Sequence, residues 1–197
     1  METRNRILSR VSRNKPEAVP CPAIPDFAKQ ESDLLHRFSE NLEMAGGSSF
    51  LVDENSLEEK INEVFASPES ALWAFGPNDR ELSVEELQSP SLLDGIDLVI
   101  LNGKFMVAEN GAVWLDETVL PARALMCLAE RVAIVVSDDE IVADMHEAYS
   151  KLSGMDGGGF GLFLSGPSKT ADIEQSLVLG AHGAKTLSIF VIKTKSK

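Results

Sequence analysis

Short apolar runs alternate with amphipathic segments along most of this chain, and this alternation limits the possible folds more than any other feature. Ser49 to Val52, Ala71 to Phe75 and Arg131 to Val136 have the length and apolar character of buried strands. Helical spacing of apolar residues is found in other segments, such as Phe27 to Ala45 and Ser56 to Ala66. Strands that alternate with helices form parallel sheets, because the crossover helix brings the chain back to the same edge. The sequence therefore predicts an α/β fold, with a mostly parallel sheet and helices on both faces.

Two Asn-Gly pairs mark a change in this pattern. They are Asn102-Gly103 and Asn110-Gly111, and they join the apolar runs Asp97 to Leu101, Lys104 to Glu109 and Ala112 to Leu115. Asn-Gly is the dipeptide that tight hairpin turns prefer, because both of its residues tolerate a positive φ. These runs therefore predict a small antiparallel meander that is inserted in, or flanks, the parallel sheet.

The remaining segments continue the alternation. Helices are predicted at Val119 to Glu130 and Asp138 to Leu152, a helical turn at Ser83 to Leu87, and strands at Phe160 to Leu164 and Thr186 to Ile192. A glycine cluster at 154 to 161 precedes a predicted strand. A dinucleotide-binding fingerprint must instead follow a strand and open a helix, so the sequence gives no sign of a nicotinamide cofactor.

The first 25 residues differ from the rest in charge and composition. Residues 1 to 15 carry a net charge of +4, and Ile7, Leu8 and Val11 form an apolar stripe along a basic helix predicted at residues 2 to 13. This helix is too short to be stable alone, so it either docks on a partner or on the body of the protein, or it frays. Four prolines between residues 16 and 25 then predict an extended linker. The predicted domains are 1–25, a basic helix with its linker, and 26–197, an α/β domain.

Charge and cysteine content exclude several functions. The chain has a net charge of −13, and residues 16 to 184 carry −21, so a nucleic acid is excluded as the main partner. No apolar run is long enough to cross a bilayer and no signal peptide is apparent, which predicts a cytoplasmic protein without membrane association. The two cysteines, Cys21 and Cys127, cannot hold an iron–sulfur cluster, which needs about four thiolates. No histidine spacing indicates a metal site, so no bound cofactor is predicted.

The segment from residue 165 to residue 183 holds the densest set of candidate ligand-binding groups. Its spacing predicts a strand, a tight turn and a helix that ends at Gly180. One interpretation is that backbone N–H groups at the helix start, two hydroxyls and the Lys169 ammonium hold a small anion. The other is that Ser168 or Thr170 caps the helix while acidic residues satisfy its dipole. The candidate ligand-binding residues are Gly166, Ser168, Lys169, Thr170, Asp172 and Glu174.

Glu109 and His182 are the candidate catalytic residues. Glu109 ends an apolar run beside the Asn110-Gly111 turn, where a sheet protein can present a carboxylate to a cleft. The alternative is that the turn is only a hairpin connection and Glu109 is a solvated strand end. His182 follows the end of a predicted helix, where the dipole favours the imidazolium form, so it can bind an anion or transfer a proton near neutral pH. Its alternative role is a hydrogen bond within its own loop.

The sequence Ser-Gly-Pro-Ser-Lys-Thr-Ala-Asp-Ile-Glu, followed by Leu-Val-Leu-Gly-Ala-His-Gly, resembles the signature of the LUD domain, and specifically of the lactate-utilisation protein C (LutC/YkgG) family. The resemblance continues collinearly from about residue 95 to the end and includes the amino-terminal helix. It implies a NagB/RpiA/CoA-transferase-like fold. It also implies that the chain is the subunit without iron–sulfur centres in a system that oxidises L-lactate to pyruvate. Iron–sulfur redox subunits and a small carboxylate or other anion at residues 166 to 172 are the implied partners.

The same resemblance implies two alternatives. CoA transferases of that fold carry a catalytic glutamate in a Glu-Asn-Gly turn, where it forms an acyl-enzyme thioester with CoA. The turn at Glu109 is similar, so the chain is alternatively an acyl-transfer enzyme that uses this glutamate as its nucleophile. The second alternative is a sensor that binds a small molecule at the same residues without turnover. Of these, the resemblance favours a component of an oxidoreductase complex over a complete enzyme.

Overall fold

The structure is a computed structural model that describes residues 2–20, 22, 33–66, 70–76, 82–83, 85–86, 89–153, 159–170 and 177–194. The chain divides into two compact units, Met1–Gln30 and Glu31–Lys197. The first unit contains helix α1, Glu2–Arg13, as the amphipathic spacing predicts. The side chains of Ile7, Leu8 and Val11 on this helix are about half exposed.

The second unit contains the remaining helices and strands. The helices whose bounds lie in the described residues are α2 (Leu34–Met44), α3 (Leu57–Phe65), α4 (Leu125–Leu128) and α5 (Met145–Ser153), with 3-10 turns at Glu54–Ser56 and Pro90–Leu93. The strands are β1 (Ser48–Val52), β2 (Ala71–Trp73), β3 (Leu98–Asn102), β4 (Phe105–Val107), β5 (Ala112–Asp116), β6 (Arg131–Ser137), β7 (Ile141–Val142), β8 (Gly161–Leu164), β9 (Lys169–Thr170), β10 (Val178–Leu179) and β11 (Thr186–Ile192). None of the helices in the described part of the chain has the length and apolar character needed to span a bilayer.

The main sheet is parallel. Within the described residues its strand order is β1-β11-β6-β3-β2, and every neighbouring pair in it runs in the same direction. Ile189 of β11 pairs with Ser49 on one side and with Ile134 on the other. The central strands are buried on both faces, which is why they appear in the sequence as continuous apolar runs. The predicted α/β fold with a mostly parallel sheet is therefore confirmed.

A second, smaller sheet has the order β7-β4-β5-β8. Its strands β4 and β5 are antiparallel and are joined by the turn at Asn110-Gly111, as predicted. The prediction of a hairpin at Asn102-Gly103 is wrong, because the chain there leaves the main sheet and enters the small one. Gly103 is buried at this crossing, and a Cβ at this residue would lie 2.7 Å from Cγ1 of Val113. The run at residues 160 to 164 forms β8, an antiparallel strand at the end of the small sheet.

The core has three parts. The largest lies between the main sheet on one side and α2 with the small sheet on the other, and Phe38, Leu42 and Ile134 are fully buried in it. Helix α3 covers the opposite face of the main sheet with Ile61 and Phe65. Helix α5 covers the outer face of the small sheet, with Ala148 buried between them. The apolar stripes of these helices are thus the faces that pack on sheets.

Several predicted helices are shorter than their apolar spacing suggests. In the predicted helix from 138 to 152, Ile141–Val142 form the strand β7 and the helix α5 begins only at Met145. The Asp144 carboxylate caps α5 by accepting from the Glu147 N–H at 2.8 Å. Pro121 interrupts the predicted helix from 119 to 130, so that only α4, Leu125–Leu128, is helical. Ser56 does not cap α3, because its hydroxyl donates to the Asp53 carbonyl. Helix α2 begins at Leu34, after an Asp33 cap, and residues 27 to 32 lie outside the described residues.

Candidate functional site

The described ends of the candidate ligand-binding segment form a hairpin rather than a strand and a helix. Lys169 of β9 pairs with Leu179 of β10, and Thr170 pairs with Val178, in an antiparallel arrangement. The predicted helix that ends at Gly180 is therefore wrong. Thr170 and Val178 are β-branched residues that favour a paired strand over a helix. Gly180 has a positive φ, 73°, as expected of a glycine that ends a helix, but here it follows the strand β10. Asp172 and Glu174 lie outside the described residues.

The base of this hairpin is closed by backbone hydrogen bonds. The Ser168 N–H donates to the Ala184 carbonyl at 2.9 Å, and the Gly180 N–H donates to the Ser168 carbonyl at 3.0 Å. The Ser168 N–H is thus engaged and is not available to an anion. The other backbone N–H groups predicted for the anion cradle, from residue 171 on, lie outside the described residues. The groups that remain are the half-buried hydroxyls of Ser168 and Thr170 and the exposed ammonium of Lys169.

Lys169 and Gly166 both lie against the carboxyl-terminal end of α2. Gly166 is buried with φ at 71°, and a Cβ there would lie 2.2 Å from the Ala45 carbonyl oxygen. The Nζ of Lys169 is 3.3 Å from the position that a Cβ on Gly46 would occupy. A helix ends with a partial negative charge, so this end of α2 favours the ammonium. In the part of the chain that the structure describes, Lys169 forms no ion pair with a carboxylate, and it can still attract an anion from solvent as a point charge.

The turn that contains Glu109 is fixed against the same helix. The Asn41 side-chain amide of α2 donates to the Ala108 carbonyl at 2.7 Å and to the Glu109 carbonyl at 3.0 Å. Gly111 adopts φ at 64°, and a Cβ there would lie 2.3 Å from the Leu42 backbone nitrogen. The turn therefore requires glycine for both its conformation and its close approach to α2.

The Glu109 carboxylate itself points to another helix. Its Oε2 accepts from the N–H of Met145, the first residue of α5, at 2.9 Å. The first N–H groups of a helix lack intrahelical partners, so a carboxylate in this position stabilises the helix start. The side chain is exposed, and the geometry assigns it a capping role at α5.

Ser165 connects the two candidate regions. Its hydroxyl donates to the Asn110 carbonyl at 2.8 Å, so the Glu109 turn and the lysine-bearing segment are in direct contact beside α2. His182 is exposed. Its neighbour Gly183 lies against Ser168, because a Cβ added to Gly183 would lie 3.2 Å from the Ser168 Cβ. The structure therefore brings residues 109 to 111, 165 to 169 and 182 to 183 to one side of the protein. Asn41 and Ser165 were not predicted, because the signal that would reveal them is a contact between residues more than fifty positions apart.

No metal centre is found among the described residues. They contain no group of three or more histidine, cysteine, aspartate or glutamate side chains that could hold an ion. Cys127 is exposed and carries a free thiol. Among the described residues, the candidate groups on this side of the protein are the Lys169 ammonium, the His182 imidazole, the Glu109 carboxylate and the hydroxyls of Ser168 and Thr170.

The fold and the site together define a class of α/β protein in which a lysine-bearing hairpin and a Glu-Asn-Gly turn meet at the end of one helix. A family model described as the LUD domain matches residues 91–192, which is more than half of the sequence. The chain belongs to the LUD domain family. This family assignment confirms the resemblance that the segment from 165 to 183 indicates.

Several proteins named lactate utilization protein C are similar to this chain. The one from Shouchella clausii is 28% identical, over 89% of this chain and 76% of its own. The one from Deinococcus radiodurans is 26% identical, over 98% of this chain and 94% of its own. A crystal structure of a DUF162 family protein from Deinococcus radiodurans matches with a TM-score of 0.60 and 20% identity, and it covers 81% of this chain and 96% of that one. This structural likeness supports the fold.

Proposed function

We propose that this chain is the subunit without iron–sulfur centres in a lactate-utilisation system, where it supports the oxidation of L-lactate to pyruvate. The observation that carries the proposal is the match to the Deinococcus radiodurans lactate utilization protein C, which extends over 98% of this chain. Such coverage means that the basic amino-terminal region as well as the α/β domain has a counterpart in that relative. In this proposal the redox clusters belong to partner subunits, and this chain contributes docking and the binding of a small anion.

Docking is assigned to the basic helix α1. Its apolar residues Ile7, Leu8 and Val11 are about half exposed, although a helix of 12 residues gains little stability without packing of its apolar face. A partner surface that covers this stripe would supply the missing burial. Covering the exposed half of each of these side chains contributes roughly 1 kcal/mol, about half of what full burial of such a side chain is worth.

A binding experiment with cluster-bearing proteins tests the docking. The tagged full chain is mixed with a lysate of its source cells, and any retained protein that carries iron–sulfur clusters is measured by the visible absorption of the clusters and identified by mass spectrometry. We expect the full chain to retain such proteins, and a variant with Leu8→Glu and Val11→Glu to retain several times less. Failure of the unsubstituted chain to retain any cluster-bearing protein would contradict the proposed function.

Anion binding is assigned to Lys169. The ammonium is exposed and lies at the end of α2, and among the described residues it forms no ion pair with a carboxylate, so a carboxylate from solvent can approach it. A charge pair of this exposed kind contributes at most about 1 kcal/mol. The site should therefore bind weakly and lose affinity as the salt concentration rises.

Replacing the ammonium gives a direct measurement. With Lys169→Ala, we expect the dissociation constant for L-lactate in titration calorimetry to rise about fivefold, which corresponds to about 1 kcal/mol for one exposed cation. The melting temperature should change little, because the side chain contributes no buried area. The control is Lys193→Ala, an exposed lysine beyond the end of β11. An equal loss of affinity in both variants, or in neither, would count against Lys169 as the anion-binding group.

Acyl transfer through Glu109 is the alternative that the geometry favours less. An acyl-enzyme nucleophile needs a carboxylate oxygen that is free to attack. One oxygen of Glu109 accepts from the backbone of α5. That hydrogen bond supports a role for Glu109 in holding α5 on the small sheet.

A further inference from the structure

An open cleft of about 610 Å³ lies at the amino-terminal ends of two neighbouring strands of the main sheet. Arg131, the first residue of β6, and Asp97, the residue before β3, form its inner wall. The volume is within the range of roughly 300 to 1,000 Å³ that small-molecule sites occupy. The residues proposed above for anion binding do not line this cleft, so it is a separate place on the protein.

The Arg131 guanidinium is held rigidly in this wall. Its Nε donates to Oδ1 of Asp97 at 2.7 Å, its Nη2 donates to the other carboxylate oxygen, and its Nη1 donates to the Phe65 carbonyl at 2.8 Å. The guanidinium also lies over the Phe65 ring, 5.5 Å from the ring centre. A guanidinium has five N–H groups, so these contacts within the described residues leave two for a ligand. Because the side chain is already fixed, a carboxylate that binds it pays little additional ordering entropy.

The outer wall of the cleft presents an opposite charge. Asp94 is exposed and, among the described residues, its carboxylate has no ion-pair partner, whereas Glu130 is engaged by the Lys185 ammonium at 2.8 Å. Gly95, which follows Asp94 in the chain and also lines the cleft, has φ at 90°, and no described atom lies within 4 Å of the position that a Cβ would take.

We propose that this cleft binds a small zwitterion of the amino-acid or dipeptide class. The carboxylate of the ligand bonds to the two remaining N–H groups of Arg131, and its ammonium pairs with Asp94. A ligand with only a carboxylate would leave Asp94 without a partner, and a ligand with only an ammonium would leave the two remaining N–H groups of Arg131 unused. An apolar ligand would leave these polar walls without water or partners, which is unfavourable. The proposal does not depend on the proposed function, because it uses none of the same residues.

Titration calorimetry on the full chain tests the ligand class. The probes are L-alanine and L-alanyl-L-alanine, with propionate and ethylamine as analogues that carry one charge each. We expect at least one zwitterion to bind with a dissociation constant of about 1 mM or tighter, and both analogues to bind at least about tenfold more weakly. Absence of zwitterion binding in this range, or equal binding of an analogue, would overturn the proposal.

A pair of variants locates the binding in the cleft. Asp94→Asn removes the charge that pairs with the ammonium and, at an exposed residue, preserves the fold, so we expect about fivefold weaker binding of the zwitterion. Asp139→Asn, an exposed acid beyond the other end of β6, is the matched control and should leave the affinity unchanged. In a nitrogen–proton NMR spectrum the Arg131 Nε–H resonance should shift on addition of the zwitterion. Unchanged affinity in Asp94→Asn, or an unshifted Arg131 resonance, would overturn the site.

Discussion

Gly166→Ala is expected to lower the free energy of unfolding by about 3 kcal/mol or more, the range of severe single substitutions. The residue has φ at 71°, a conformation that costs a side chain of normal chirality about 1 to 2 kcal/mol. The added Cβ would also lie 2.2 Å from the Ala45 carbonyl oxygen, so either α2 or the segment around residue 166 must move. Urea denaturation of the variant and the unsubstituted chain measures the loss.

The control for Gly166 separates the two causes. Gly95 also has a positive φ, but its Cβ position has no described atom within 4 Å. Gly95→Ala should therefore show only the conformational part, about 1 to 2 kcal/mol. If Gly166→Ala were no worse than Gly95→Ala, the close packing of this segment on α2 would not contribute to stability, and the glycine would need another explanation.

Leu42→Ala is expected to destabilise the protein by about 2 to 5 kcal/mol, as for other fully buried leucines. The side chain is completely buried at the centre of the largest core cluster. It is also within contact of Gly47, where an added Cβ would lie 2.5 Å from the Leu42 Cδ1. The core between α2 and the sheets is therefore dense at this residue, and a cavity there cannot collapse easily.

Met44 on the same helix provides the comparison. It has 77% of its side chain exposed, so Met44→Ala should change the free energy of unfolding by less than about 0.5 kcal/mol. Leucine and methionine have similar helix propensities. The difference between the two losses in the free energy of unfolding therefore reports the burial of Leu42. Equal effects of the two variants in urea denaturation would show that α2 does not pack as described.

The parallel sheet could be predicted from the sequence because its signal is local. Strands such as β6 and β11 are buried on both faces, so their residues are apolar without interruption, and the boundaries predicted for β11 match the structure. The turn at Asn110-Gly111 was predictable for the same reason, since the turn geometry selects the dipeptide itself.

The arrangement of the site could not be predicted in this way. Asn102-Gly103 has the same two residues as the other turn, but its glycine lies where the chain passes from one sheet to the other. The tertiary packing of Gly103 on Val113 and Ile134 determines this path. The residues around Lys169 show helical spacing over a short segment, where pairing of β9 with β10 overrides helix propensity. The capping contact of Glu109 with Met145 joins residues 36 positions apart and leaves no periodic signal.

The crossing at Gly103 has a mechanical consequence for the α/β domain. Only two residues separate β3 in the main sheet from β4 in the small sheet, and the core between them is shared. Because this connection is so short, neither sheet can open while the other keeps its native hydrogen bonds. Slow amide exchange in both should report a single cooperative event, and the small sheet cannot be excised as an independent module.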